Sequence, residues 1–256
     1  MKQTAPDTPF LARPLRAPIL SCYFPLGDPA VPVALLDVYA DAGVDVIEIG
    51  LASANPALDG AEVRASMARA DRGRARADLD LVLTRLALHA TPPAALLMSY
   101  DDPDHPGRRD PAFWAGLQSA LVVATAQSRS LPEIEATAQR AGLPLSAFVP
   151  LPVSPAGRKA AQAAGYYVML QAVEGVTGTR SGIDPGNAAR IADLRASGVT
   201  APILPGFGIG TGDQAREMRA MGADGVVVGS AVLRAALDGP KVLARVLTEL
   251  RSGLDG

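Results

Sequence analysis

The sequence holds a carboxylate where an apolar strand has little room for one. Glu48 sits in Val44-Asp45-Val46-Ile47-Glu48-Ile49-Gly50, a run that reads as a buried β-strand. Desolvating a carboxylate there costs several kcal/mol unless it is paired or used, and burial raises its pKa. Eleven positions later Asp59 lies in a loop flanked by Pro56 and Gly60. A buried acid at a strand end and a loop acid beside it are suited to shared proton transfer. The structural alternative is that Glu48 pairs with an Arg or Lys and Asp59 caps the next helix. The residues alone leave both open.

The second chemical feature is a set of glycines. Turns at Gly175–Gly178, Gly206–Gly210 and Gly229-Ser230 each follow an expected strand. Backbone N–H groups freed at such turns, with Ser230 opening a helix, form an anion seat that needs no lysine. The segment Gly206-Phe207-Gly208-Ile209-Gly210-Thr211-Gly212 does not fit a dinucleotide fingerprint, because the third glycine position falls on Thr211 or Asp213. Three such turns at neighbouring strand ends favour phosphate.

Other chemistry is thinly represented. Cys22 is the single cysteine, which excludes an internal disulfide and a cysteine-rich metal site. His89 and His105 are far apart in sequence and read as surface or internally satisfied residues, so no metal centre is expected. A net charge of −2 without a basic stripe argues against a nucleic-acid surface. No apolar run reaches the roughly 20 residues of a membrane span, and the N-terminus lacks the apolar core of a signal peptide. A cytoplasmic protein is expected.

Positioning these groups requires a regular frame. Residues 1–17 read as a Pro/Arg-rich lead-in, and 18–256 as one domain. Strands are expected at Pro18–Phe24, Val44–Gly50, Ala94–Tyr100, Ala120–Ala124, Leu145–Leu151, Tyr166–Gln171, Ala201–Phe207 and Gly225–Gly229, alternating with helices. The helices are expected near Val31–Ala42, from Gly60 to His89 with a break around Gly73, at Pro111–Gln118, Leu131–Ala141 and Ser154–Ala164, up to Ser197, at Asp213–Met221, and then continuously to about Arg251. The same join recurs at Ala42-Gly43, Ala141-Gly142, Ala164-Gly165, Ser197-Gly198 and Met221-Gly222, each followed closely by a strand. Gly43–Gly50 (GVDVIEIG) and Gly222–Gly229 (GADGVVVG) are nearly one unit. Continuously apolar strands argue for a parallel sheet buried on both faces. Eight such units in 256 residues predict an α/β fold, a TIM (β/α)8 barrel, with chemistry at the C-terminal strand ends.

Taken in order, several of these segments resemble the tryptophan synthase alpha-subunit family. They are Leu26-Gly27-Asp28-Pro29, Ala42 to Gly50, Leu58-Asp59-Gly60, Leu97-Met98, Gly175-Val176-Thr177-Gly178, Gly206-Phe207-Gly208-Ile209 and Gly229-Ser230-Ala231-Val232. The resemblance runs from about Pro18 to Arg251. It implies a TIM barrel that cleaves indole-3-glycerol phosphate to indole and glyceraldehyde 3-phosphate by a retro-aldol reaction without cofactor. It further implies Glu48 as the acid–base, Asp59 as the carboxylate holding the indole N–H, and Tyr23, Tyr100 and Phe207 as ring contacts. Gly178, Gly208, Gly229 and Ser230 would bind phosphate, and a PLP-dependent beta subunit would be the usual partner.

The departures are local. Ala52-Ser53-Ala54-Asn55-Pro56 stands where the family has Pro-Phe-Ser-Asp-Pro, a segment of the beta-subunit interface. Thr125-Ala126-Gln127 replaces an Asp-Leu-Pro-like turn, the helix before strand four is short, and the lead-in replaces an N-terminal helix. Tyr23 stands where Phe is usual, putting a hydroxyl in the ring pocket that changes the ring accepted or bonds a substrate heteroatom. The leading expectation is a divergent lyase; the alternative is a catalytically silent barrel that binds a phosphorylated ligand or activates a partner.

Overall fold

A computed structural model describes residues 14–125, 129–175, 178 and 182–256. Eight parallel strands form one sheet: β1 (Ile19–Pro25), β2 (Val46–Gly50), β3 (Ala94–Tyr100), β4 (Ser119–Val123), β5 (Leu145–Val149), β6 (Val168–Gln171), β7 (Ile203–Gly206) and β8 (Gly225–Val228). The order β7-β6-β5-β4-β3-β2-β1-β8 brings the two ends of the sheet together. There Asp224 N donates to Ile203 O at 3.0 Å, and its carboxylate accepts from Ile203 N at 2.7 Å. The sheet is a nearly closed barrel, as the repeated helix–strand joins predict.

The joins have a common geometry. Gly43, Gly142, Gly198 and Gly222 all take positive φ, between 74° and 97°. At each, the next residue reaches back five positions, as Val44 N does to Tyr39 O and Ala223 N to Met218 O. This is the Schellman stop, which only a residue without a Cβ adopts freely. Gly165 is the exception: it has no positive φ, and a Cβ there would lie 3.0 Å from Pro144 Cβ.

The helices are α1 (Leu36–Asp41), α2 (Ala61–Arg69), α3 (Ala75–Leu86), α4 (Leu131–Arg140), α5 (Pro155–Gln162), α6 (Gly186–Ala196), α7 (Gly212–Ala220), α8 (Ser230–Leu237) and α9 (Pro240–Asp255). Three expectations are corrected. The first helix begins as a 3-10 turn, Val33–Leu35, behind Pro32. The expected helix at Pro111–Gln118 is a single 3-10 turn, Pro111–Trp114. The C-terminal helix is two, because Gly239 turns at φ 104° and Pro240 starts anew. The break near Gly73 is as expected, with Asp71 capping a 3-10 turn over Arg72–Arg74.

Two apolar layers result. Ile19, Val46, Leu96, Leu121, Leu204 and Val227 belong to a cluster filling the barrel interior, and a larger one packs between strands and helices. No helix among the described residues is long and apolar enough to cross a membrane. Both histidines are internally satisfied: His105 is buried, bonded to Ser99 and stacked on Trp114, while His89 pairs with Asp37.

α7 and α9 touch backbone to backbone. A Cβ on Gly253 would lie 2.0 Å from Gly212 O, and one on Gly212 would lie 2.4 Å from Glu249 O. Inside a helix, Gly→Ala ordinarily gains close to 1 kcal/mol. Gly253→Ala is expected to reverse that sign and lower stability by roughly 2 kcal/mol, as measured by urea unfolding.

Candidate active site

All nine residues singled out from the sequence line one cavity of about 630 Å³, counting the space at its mouth, at the C-terminal ends of the strands. They are Tyr23, Glu48, Asp59, Tyr100, Gly178, Phe207, Gly208, Gly229 and Ser230. Val176 and Thr177 of the adjoining turn lie outside the described residues, as do Ala126, Gln127 and residues 1–13.

Glu48 points inward from the middle of β2, beside Tyr23 of β1 and Leu96 of β3 in the sheet register. It is 2% exposed, and its one hydrogen-bond partner among the described residues is the Tyr167 hydroxyl, which donates to Oε1 at 3.1 Å. Among the described residues no Arg or Lys pairs with it, so the ion-pair alternative is not realised there. Burial raises the carboxyl from 4.5 to about 7; the Tyr167 bond pulls it down and the Asp59 charge pushes it up. A carboxyl poised near neutrality can both give and take a proton.

Asp59 is 3% exposed, in the loop between β2 and α2. Tyr100, the last residue of β3, donates its hydroxyl to Asp59 Oδ2 at 2.7 Å and accepts from Leu58 N at 3.2 Å. The N-cap position of α2 is Gly60, not Asp59. The loop is also fixed upstream: Ser53 Oγ donates to Asp102 at 3.1 Å and accepts from Asn55 N at 3.0 Å. Protein contacts therefore order this loop despite the loss of proline and phenylalanine. α2 is itself anchored, since Asp28 accepts from Ser66 and from Arg69 Nε at 2.8 Å.

The wall between the two carboxylates and the glycines is apolar. Met98, Val123, Phe148, Met169, Ile209 and Val227 contribute, and Phe148 meets Phe207 with ring centroids 5.8 Å apart. Phe207 reaches this position from a left-handed backbone, φ 75°, followed by Gly208 at φ 86°. Such a conformation in a bulky residue stores about 1–3 kcal/mol and marks a constrained site. The opposite end is glycine backbone, with Gly229 and Ser230 at the N-terminus of α8. No lysine or arginine lines the cavity among the described residues. An anion there would meet N–H groups and the positive end of a helix.

The sequence did not single out Tyr167. Its only signal is position: it lies two residues before Met169, on the same inward face at the base of β6. No cluster of acidic, histidine and cysteine side chains able to hold a metal occurs among the described residues.

The family model for the tryptophan synthase alpha chain matches residues 16–252. The chain belongs to that family. A tryptophan synthase alpha chain from Geobacter sulfurreducens is 34% identical over 223 residues, covering 84% of this chain and 83% of the relative. One from Halobacterium salinarum is 32% identical over 258 residues, covering 93% and 90%. The solved tryptophan synthase of Mycobacterium tuberculosis contains a chain that superposes with a TM-score of 0.76 at 25% identity, covering 93% of each chain. The family assignment and the barrel therefore agree.

Glu48 also affects stability. The folded protein holds its proton up to about pH 7, whereas an ordinary glutamate loses it near 4.5, so between those values the folded state carries more protons. Stability contributed by this site therefore falls as pH rises through that window. Glu48→Gln removes the penalty. Urea unfolding should show the variant gaining on the parent by on the order of 3 kcal/mol between pH 4.5 and pH 7.

Proposed function

We infer that the protein is an alpha-subunit-like carbon–carbon lyase that cleaves indole-3-glycerol phosphate to indole and glyceraldehyde 3-phosphate. The observation that carries the reading is Glu48, a buried carboxyl with a pKa of about 7 facing the cavity that Asp59 shares. Retro-aldol cleavage needs one group to protonate the ring carbon and then accept the proton of the adjacent hydroxyl. Protonation of that carbon puts positive charge on the ring nitrogen. Asp59, held by Tyr100, would take the N–H and balance that charge. Loss of the hydroxyl proton drives formation of the aldehyde, the bond to the ring carbon breaks, and its electron pair returns to the ring. Glu48 ends as it began, so no cofactor enters the scheme.

The other cavity residues fit this assignment. Tyr23, Tyr100 and Phe207 would hold the ring, while Gly178, Gly208, Gly229 and Ser230 would seat the phosphate. The catalytically silent alternative is less well supported, because silence would leave a desolvated carboxyl with no use. The expected result for Glu48→Gln is a loss of turnover of about 10²–10⁴-fold with ligand binding retained, since shape is kept and the proton is not. Asp59→Asn should be severely impaired as well. Wild-type cleavage rates in the Glu48 variant, followed by indole release, would remove the assignment.

Gly208→Val tests the phosphate seat. A β-branched residue is strained at φ 86° and would block the backbone from the ligand. Calorimetry should show weakened binding of glycerol phosphate, and no binding to the parent protein would exclude the seat.

A beta subunit is the family's usual partner, but Ala52-Ser53-Ala54-Asn55 lacks the aromatic and acidic groups of the usual interface loop. Aromatic anchors commonly contribute about 2 kcal/mol or more, so affinity should drop by roughly two powers of ten once the acid is lost too. Activity is expected to be largely independent of an added beta subunit. Co-purification of a stable complex, or strong activation on mixing, would overturn that.

A further inference from the structure

Tyr23 carries a hydroxyl that no described residue satisfies. Three tyrosines stand at the two carboxylates, and two of their hydroxyls are committed: Tyr167 to Glu48, and Tyr100 to Asp59 and Leu58 N. Tyr23 Oη has no hydrogen-bond partner among the described residues, although the side chain is 2% exposed and lines the cavity. A buried, unmatched hydroxyl is unfavourable, and phenylalanine would fill the same space without that penalty. The side chain lines the cavity, so a bound ligand can supply the partner this oxygen lacks.

The course of the side chain indicates which part of a ligand it meets. Tyr23 Cβ lies 3.9 Å from the point a Cβ on Gly229 would occupy, next to the proposed phosphate seat. The ring then crosses to β2, where Cε2 and Oη lie 2.1 and 2.5 Å from the point a Cβ on Gly50 would occupy. Only a glycine at position 50 admits it. The phenol oxygen thus ends across the site from the seat, above Glu48 on the inward face of β2 and near the start of the Asp59 loop. Burial, followed by the Asp59 and Glu48 charges, keeps the phenol neutral, so it can both donate and accept.

We propose that Tyr23 is a specificity-determining residue that hydrogen-bonds a hydroxyl on the ring of the substrate, so that the preferred substrate is a hydroxylated indole glycerol phosphate. The inference rests on the lyase reading above. With the phosphate at the glycine end, the reacting carbon over Glu48 and the ring N–H at Asp59, the ring extends beyond Glu48 toward the Gly50 end of β2, where the phenol oxygen lies. A site with a dedicated hydrogen-bond partner rejects an analogue lacking the matching group far more strongly than an apolar pocket rejects a substituent.

The test uses indole and the 4-, 5-, 6- and 7-hydroxyindoles with the parent protein and Tyr23→Phe. Calorimetry measures binding, and condensation with glyceraldehyde 3-phosphate measures the reverse reaction. The parent should bind at least one hydroxyindole about tenfold or more tightly than indole. Tyr23→Phe should bring that ratio to about one and melt at or above the parent temperature. A parent that binds no hydroxyindole better than indole overturns the inference, as does a variant that keeps the preference or melts lower. Because binding needs no turnover, preference without condensation counts against the lyase reading alone, and condensation without preference counts against Tyr23 alone.

Discussion

Parallel strands have no hairpin to fix their register, so something at each seam must do so. In this barrel a side chain at the foot of a strand exchanges bonds with the neighbouring backbone. Asp45 donates its N–H to Leu20 O and accepts from Leu20 N, at 2.9 and 2.8 Å. Asp224 does the same to Ile203 at the seam of β7 and β8. Gln118 repeats the exchange with Ala95. Arg251 reaches Asp45 from α9, and Arg195 reaches Asp224 from α6. Three residues above the Asp45 clamp, the same register sets Tyr23 beside Glu48. The placement of Tyr23 beside Glu48 is thus decided at the opposite end of the barrel.

That rigidity permits a costly site. Among the described residues Glu48 is desolvated with one hydrogen-bond partner, Phe207 sits in a left-handed conformation, and Tyr23 carries an unmatched hydroxyl. Each is a local departure from the most stable choice, and together they cluster in one cavity. Such departures persist only where the surrounding packing over-determines the backbone. The two filled layers of apolar side chains and the clamped seams provide that here.

Much of this was legible in the sequence because the governing signals are local. Helix stops at glycine and continuous apolar strands fix element type and order with little help from distant residues. Glu48 stood out because its charge contradicts its neighbours, and the glycine turns because they recur at adjacent strand ends. Tyr167 was not legible, since its role depends on a partner 119 residues away across the barrel. The order of the Asp59 loop was also hidden: Ser53 is a small polar residue like many others until Asp102 is placed beside it. The split between α8 and α9 was written in Gly239-Pro240 and obscured by apolar periodicity on both sides.

Arg251 has one further consequence. Its guanidinium bonds both Asp45 and Pro18 O, while β8 pairs with β1. β1 is therefore fastened by a residue that lies 233 positions after Pro18 in the chain. During synthesis β1 keeps an open edge until β8 has emerged, and it gains the Arg251 contacts only after that. The order of translation and the order of closure run in opposite directions, which makes the nascent chain, rather than the finished barrel, the form most exposed to aggregation.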